Sequence, residues 1–115
     1  EMTVPNVREQ TLAWNAWISE SRENVIESRS ERHSQIILSW LDEIGRQDLQ
    51  ILDAGCGSGW MAARMARYGK VTGIDLADQV LERSRRRWPD VEFIAGDFLV
   101  TQFPAESFAV VTSLE

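Results

Sequence analysis

The spacing of hydrophobic and polar residues changes character near residue 48, and the change divides the chain into two parts. Before it, the pattern is helical. Asn6 and Glu9 have the spacing of a capping box and open a helix carrying Leu12, Trp14, Trp17 and Ile18. Ser28 and Glu31 repeat that signal ahead of Ile36, Ile37, Trp40, Leu41 and Ile44, which recur at helical spacing until Gly45 stops them. Trp40 is expected in the core. The polar stretch Ser19 to Arg29 between the two helices has no clear period. Residues 1–48 thus read as an N-terminal helical segment.

From residue 49 onward, short apolar runs alternate with helical patterns. Leu49 to Leu52 leads straight into glycines, as a buried parallel strand does. Met61, Ala62, Met65 and Ala66 follow at helical spacing, ended by Gly69. Lys70 to Asp75 is a second strand closing on an acid. Val80, Leu81, Ser84 and Trp88 share one face of the next helix, which Pro89 closes. Val91 to Ala95 is a third strand and Phe108 to Thr112 a fourth. Such alternation predicts an α/β doubly wound sheet with right-handed crossovers. Ligands of such sheets bind beyond the carboxyl ends of the strands, near the switch in strand order.

Composition narrows the function classes. The 115 residues are 43% hydrophobic and 26% charged, too apolar for a disordered tail and too interrupted for a membrane span. A net charge of −6 argues against a general nucleic-acid binder. One cysteine leaves no disulfide framework and no cysteine-rich zinc site, and no metal is expected. No charged segment followed by an apolar core opens the chain, so a reducing cytoplasm is the expected compartment. Met2 reads as a native start behind an added Glu1.

The candidate chemistry lies in Ile51-Leu52-Asp53-Ala54-Gly55-Cys56-Gly57-Ser58-Gly59-Trp60. A glycine loop between a strand and a helix lets backbone N–H groups meet an anionic group. The dinucleotide fingerprint is G-x-G-x-x-G, and the spacing Gly55-x-Gly57-x-Gly59 is one residue short of it. Asp53 would also stand near a pyrophosphate, where like charges roughly 5 Å apart repel by a few kcal/mol in a partly dry site. A ligand that combines a small carboxylate with positive charge suits the loop better.

With these motifs the chain resembles the class I S-adenosylmethionine-dependent methyltransferases, over roughly residues 49–115. The resemblance implies a Rossmann-like sheet of about four parallel strands in the order 3-2-1-4, with N-terminal helices, and S-adenosyl-L-methionine as cofactor. "ILDAGCGSG" is similar to the family's first motif, in which Asp53, Gly55, Cys56, Gly57 and Gly59 would surround the methionyl part. "VTGIDLA" resembles the next: Asp75 would accept from both ribose hydroxyls, with Leu76 against the adenine. In "AGDF", Asp97 would accept from the adenine amino group and Phe98 would wall the ring. "FAVVTSLE" resembles the fourth strand and its exit, which would bring Ser113 and Leu114 near the cofactor. An acid ending the second strand is shared with nicotinamide-dinucleotide folds, whereas the Gly-Asp after the third discriminates.

The remaining polar and aromatic residues carry plainer readings. Cys56 is a small residue in a tight loop with no adjacent base to activate it. Trp60 either shapes the substrate side or covers the helix start, and Trp14 and Trp17 either form a lid or pack on the sheet. His33, the single histidine, begins a helix and is not expected to be a base. Arg83, Arg85, Arg86 and Arg87 fit a solvated helix end that offsets the macrodipole.

The family resemblance implies methyl transfer by in-line attack, with orientation and exclusion of water as the protein's contribution. The acceptor is expected to be a small molecule, with neither nucleic acid nor membrane as partner. No residue is assigned as catalytic. Full domains of this family continue with a helix and three more strands, so the chain is expected to be truncated, with Leu114-Glu115 either native or a junction. Its fourth strand would be an open apolar edge suited to a homodimer. Two other readings remain: a non-catalytic binding or self-associating module, and a nicotinamide-dependent oxidoreductase domain.

Overall fold

The computed structural model describes residues 7–17, 26, 28–104 and 106–114, the side chains of 13–17 excepted. Its elements are α1 (Val7–Trp17), α2 (Ser28–Ile44), β1 (Leu49–Ala54), α3 (Trp60–Met65) with a 3-10 turn (Ala66–Tyr68), β2 (Gly69–Asp75), α4 (Asp78–Arg87), β3 (Glu92–Ala95) and β4 (Val110–Thr112). Asn6, Ile18 and the roles expected of Trp14 and Trp17 lie outside the described residues. Ser28 stands in the first turn of α2, and Glu31 does not reach back to cap it. Its carboxylate instead accepts from Gln35 at 3.0 Å and Arg64 at 2.8 Å.

The four strands form one parallel sheet in the order β3-β2-β1-β4. Successive crossovers run β1 to β2 to β3 in one direction, and β4 then returns to the far side of β1. The switch in strand order therefore falls between β1 and β4, where Asp53 pairs in register with Thr112.

Alternate strand residues serve opposite faces, as the pleat requires. Leu49, Ile51, Val71 and Phe93 join Leu41 of α2, Met61 and Met65 of α3 and Leu81 of α4 in the main core. Leu52, Ala54 and Ile74 face the other way, under Ile94, Phe103 and Phe108. The Phe103 and Phe108 rings meet edge to face, with centroids 5.2 Å apart. Each fully buried Leu or Ile contributes about 2 kcal/mol, so the sheet centre holds the fold. Among the described residues, no helix is long and apolar enough to cross a membrane.

Two local expectations are corrected. Trp40 is 61% exposed, outside the core. Leu41, one residue on, takes the inward position in the main core. The fourth strand is also shorter than its apolar run: Phe108 leaves the ladder to pack on Phe103, and pairing covers only Val110 to Thr112.

Candidate functional site

Between β1 and α3 the backbone turns through Gly55, Gly57 and Gly59, with φ of 70°, 55° and 89°. Gly59 is doubly constrained, because a Cβ there would also lie 2.6 Å from the Phe93 ring. The loop amides were expected to face an anion, and the structure uses them otherwise. Gly55 and Cys56 both donate to the Ile74 carbonyl, at 2.8 and 3.1 Å. Gly57 donates to Asp75 Oδ2 at 2.8 Å, and Gly59 to the Cys56 carbonyl at 3.0 Å. The loop is thus tied to the end of β2 and offers these four donors to no diphosphate.

Asp53, the fifth residue of β1, is 2% exposed. Its Oδ1 accepts from Thr112 Oγ1 at 2.9 Å, and among the described residues no other hydrogen bond reaches the carboxyl group. Burial pushes its pKa up to about 7, the Thr112 hydroxyl holds it down, and the nearby Asp75 raises it again. Among the described residues, Oδ2 is a buried acceptor without a donor. A ligand bringing an ammonium group or an N–H satisfies it, whereas a diphosphate would add like charge. An amino-acid nucleoside with a positively charged end fits this acceptor.

Asp75 closes β2 at the neighbouring position. Its Oδ2 accepts from Gly57, and its Oδ1 accepts from the Ala77 N–H at 3.0 Å. Leu76 beside it is half-buried. Gly96 donates its N–H to the Asp75 carbonyl at 2.9 Å, which draws the exit of β3 alongside β2. Asp97 follows, and its Oδ1 accepts from the Leu99 N–H at 2.9 Å in a turn that leaves Phe98 41% exposed. Asp53 and Asp75 act on each other electrostatically; Asp97 joins them through the Gly96 backbone contact, with its carboxylate in its own turn. Ser113 is exposed past β4 and lines a groove of about 330 Å³ with Ile37, Trp40, Ile44 and Val111.

Two residues of the site escaped the sequence pattern. Ser84 of α4, read only as part of an apolar face, is buried and donates to the Ser58 carbonyl at 2.6 Å, binding α4 to the glycine loop. Thr112 looked like one more β-branched strand residue. The only available signal was a hydroxyl residue at the end of the strand that flanks β1. Cys56 is buried and its thiol pKa is raised, first by burial and then by Asp53 and Asp75, which leaves it unreactive. Trp60 is partly buried against the core, and the Arg64 guanidinium lies 5.0 Å from its ring centroid. Arg64 also donates to Glu31 and to the buried Ser34, at 2.8 and 3.1 Å, and so ties α3 to α2. His33 is exposed on α2.

Arg85, Arg86 and Arg87 are exposed at the end of α4, as a solvated helix end would be, and two of them also make contacts. Arg85 reaches over β3 and donates to the Phe93 carbonyl at 2.9 and 3.3 Å, and Arg87 lies 5.3 Å from the Trp88 ring centroid. The outer edge of β3 is thereby partly covered. Among the described residues no cluster of three metal-ligating side chains occurs.

Comparison with known proteins gives a consistent result. A family model described as a methyltransferase domain matches residues 51–115. Demethylmenaquinone methyltransferase of Chlorobaculum tepidum is 38% identical over 71 residues, covering 60% of this chain and 29% of that protein. Ubiquinone biosynthesis O-methyltransferase of Idiomarina loihiensis is 45% identical over 73 residues, covering 57% of this chain and 30% of that protein. In fold, the chain is similar to S-adenosylmethionine-bound CalS10, an amino pentose methyltransferase from Micromonospora echinaspora. The TM-score is 0.63 at 23% identity, over 100% of this chain and 44% of that one. The chain spans about a third of the length of the curated relatives it matches.

Proposed function

The chain belongs to the class I S-adenosylmethionine-dependent methyltransferase family, and from that premise we propose that it is the cofactor-binding part of an enzyme that methylates a small-molecule acceptor. One observation carries this reading: the buried Asp53 keeps one carboxylate oxygen without a donor among the described residues, at the switch point of the sheet. That oxygen accepts from the ammonium group of the methionyl end. Asp75 accepts from the ribose hydroxyls, and Asp97 accepts from the adenine amino group between Leu76 and Phe98. Gly55, Cys56, Gly57 and Gly59 form the wall along the methionyl part, and Ser113 borders it from β4.

The bound cofactor supplies a methyl carbon on a positively charged sulfur. The protein's own residues bind, orient and keep water away, and orientation is the main lever on rate. A nicotinamide dinucleotide suits the site poorly, because four loop amides already have acceptors inside the protein. The quinone-biosynthesis relatives support a small-molecule acceptor.

Calorimetric titration with S-adenosylmethionine, S-adenosylhomocysteine and NAD tests the reading. The first two are expected to bind and NAD is not; binding of NAD alone would overturn it. In the parent protein, labelled methyl is expected in the small-metabolite fraction. Label confined to macromolecules would refute the acceptor class.

A second copy is the proposed partner at the open side of β4. Val111 is 56% exposed there, and among the described residues β4 pairs only with β1, while Arg85 guards the opposite edge. Light scattering is expected to show a dimer that Val111→Lys dissociates. A monomer at every concentration would sink that arrangement.

A further inference from the structure

The register that sets β4 beside β1 places Thr112 opposite Asp53, at the point where the strand order reverses. Thr112 Oγ1 lies 2.9 Å from Asp53 Oδ1, 3.5 Å from the Leu52 carbonyl and 3.9 Å from Met65 Sδ. A hydroxyl has one hydrogen to donate, and the carboxylate is both the nearest acceptor and the charged one. Thr112 is itself buried, so bulk water does not compete for that hydrogen.

Resting on the cofactor-site reading above, we propose that Thr112 is a positioning residue: its hydroxyl hydrogen occupies Asp53 Oδ1, fixes the carboxyl group, and leaves Oδ2 as the oxygen that takes a ligand's ammonium group. The return of β4 to β1 is thus part of the ligand site as well as of the sheet. The groups around Asp53 explain why the site needs such a donor. From β2 comes the carboxylate of Asp75, and from the glycine loop the Cys56 thiol, both acids. α3 contributes Met65, without charge, its Sδ 3.9 Å from the Thr112 hydroxyl. The hydroxyl is the single described group whose hydrogen bond favours the ionised carboxyl, the form that attracts a cation.

Thr112→Val keeps shape and burial and removes the hydrogen; Thr112→Ser keeps the hydrogen. The first readout needs no ligand: the carboxyl carbon of Asp53 is followed by 13C NMR against pH and assigned by its loss in Asp53→Asn. The Asp53 midpoint is expected to rise by about one pH unit in Thr112→Val and to stay at the wild-type value in Thr112→Ser. The second readout is calorimetric affinity for S-adenosylhomocysteine. At pH 7, Thr112→Val is expected to bind about fivefold more weakly, because fewer molecules carry the ionised carboxyl. The deficit is expected to shrink at pH 8 and to be absent in Thr112→Ser.

An unchanged Asp53 midpoint in a folded Thr112→Val, with equal affinity at both pH values, would overturn the role. Thermal melts identify a misfolded Val variant, and in that case a Thr112→Ala protein carries the comparison. If the wild type binds neither S-adenosylmethionine nor S-adenosylhomocysteine, the cofactor reading fails, and the ligand-positioning role falls with it. The carboxyl titration then still decides whether Thr112 controls Asp53.

Discussion

Gly57 donates its backbone N–H to Oδ2 of Asp75 across 2.8 Å, so the acid that ends β2 closes the glycine loop that follows β1. With Ala77 on the other oxygen at 3.0 Å, one carboxylate orders the exits of two neighbouring strands. In this chain the acid does structural work in the loop before any ligand arrives.

Replacing that acid is therefore expected to loosen the loop as well as the ligand. Asp75→Ala strips acceptors from two backbone donors, and each charge-assisted hydrogen bond contributes about 1.5–3 kcal/mol. Faster hydrogen exchange at the Gly57 and Ala77 amides, with loss of S-adenosylhomocysteine binding, is the expected outcome. Unchanged exchange at both amides would contradict it.

Asp53 gives the opposite result for stability. Its pKa rises from an ordinary 3.8 to about 7 in the fold. The folded protein thus holds an extra proton between those values. Stability from this group is fully present below about pH 4, declines as pH rises through 7 and is level above. Asp53→Asn is expected to be more stable than wild type at pH 8, by up to about 4 kcal/mol, and equal at pH 4. Urea denaturation at the two pH values reads the difference. The same variant is expected to lose cofactor affinity, a trade of function against stability.

Gly69 and Gly45 make a matched pair. Gly69 starts β2 at φ 149°, and a Cβ there would stand 2.0 Å from the Leu49 carbonyl oxygen, which is backbone and cannot yield. Gly45 at φ 70° has nothing closer than 4.0 Å. Gly69→Ala is expected to unfold the chain or to cost more than about 3 kcal/mol, whereas Gly45→Ala costs about 1 kcal/mol. Circular dichroism melts distinguish the two.

Arg85 protects the outer carbonyl of Phe93 on the edge strand β3. Arg85→Met is expected to cost about 2 kcal/mol in urea denaturation and to promote concentration-dependent association. Arg85→Lys should recover only part, since a point charge cannot reproduce the guanidinium fork.

The helix and strand alternation from residue 49 was legible because β1 to β3, α3 and α4 each combine an apolar run or period with a glycine, proline or acid close after it. Trp40 was misread because Trp40 and Leu41 both fit the apolar stripe of α2, and only the packing against α3 and the sheet selects Leu41. Arg85 is exposed as a helix-end arginine should be, but nothing local reveals that the β3 backbone lies within reach of its guanidinium. The glycine loop was found from its spacing, but its amides were assigned to a ligand. The acceptors of Gly55, Cys56 and Gly57, which are Ile74 and Asp75, are some twenty residues away in sequence.

The sequence by itself determined the parallel α/β alternation, the glycine turn and the acids at the ends of three strands, because periodicity and backbone conformation are set by neighbouring residues. Tertiary structure alone decided that Asp53 is buried, that Thr112 is its single donor among the described residues, and that Asp75 is already engaged by the loop. Those facts depend on which strands become neighbours and in what register. Pairing across about sixty residues leaves no local trace, since it is fixed by the joint burial of both sheet faces.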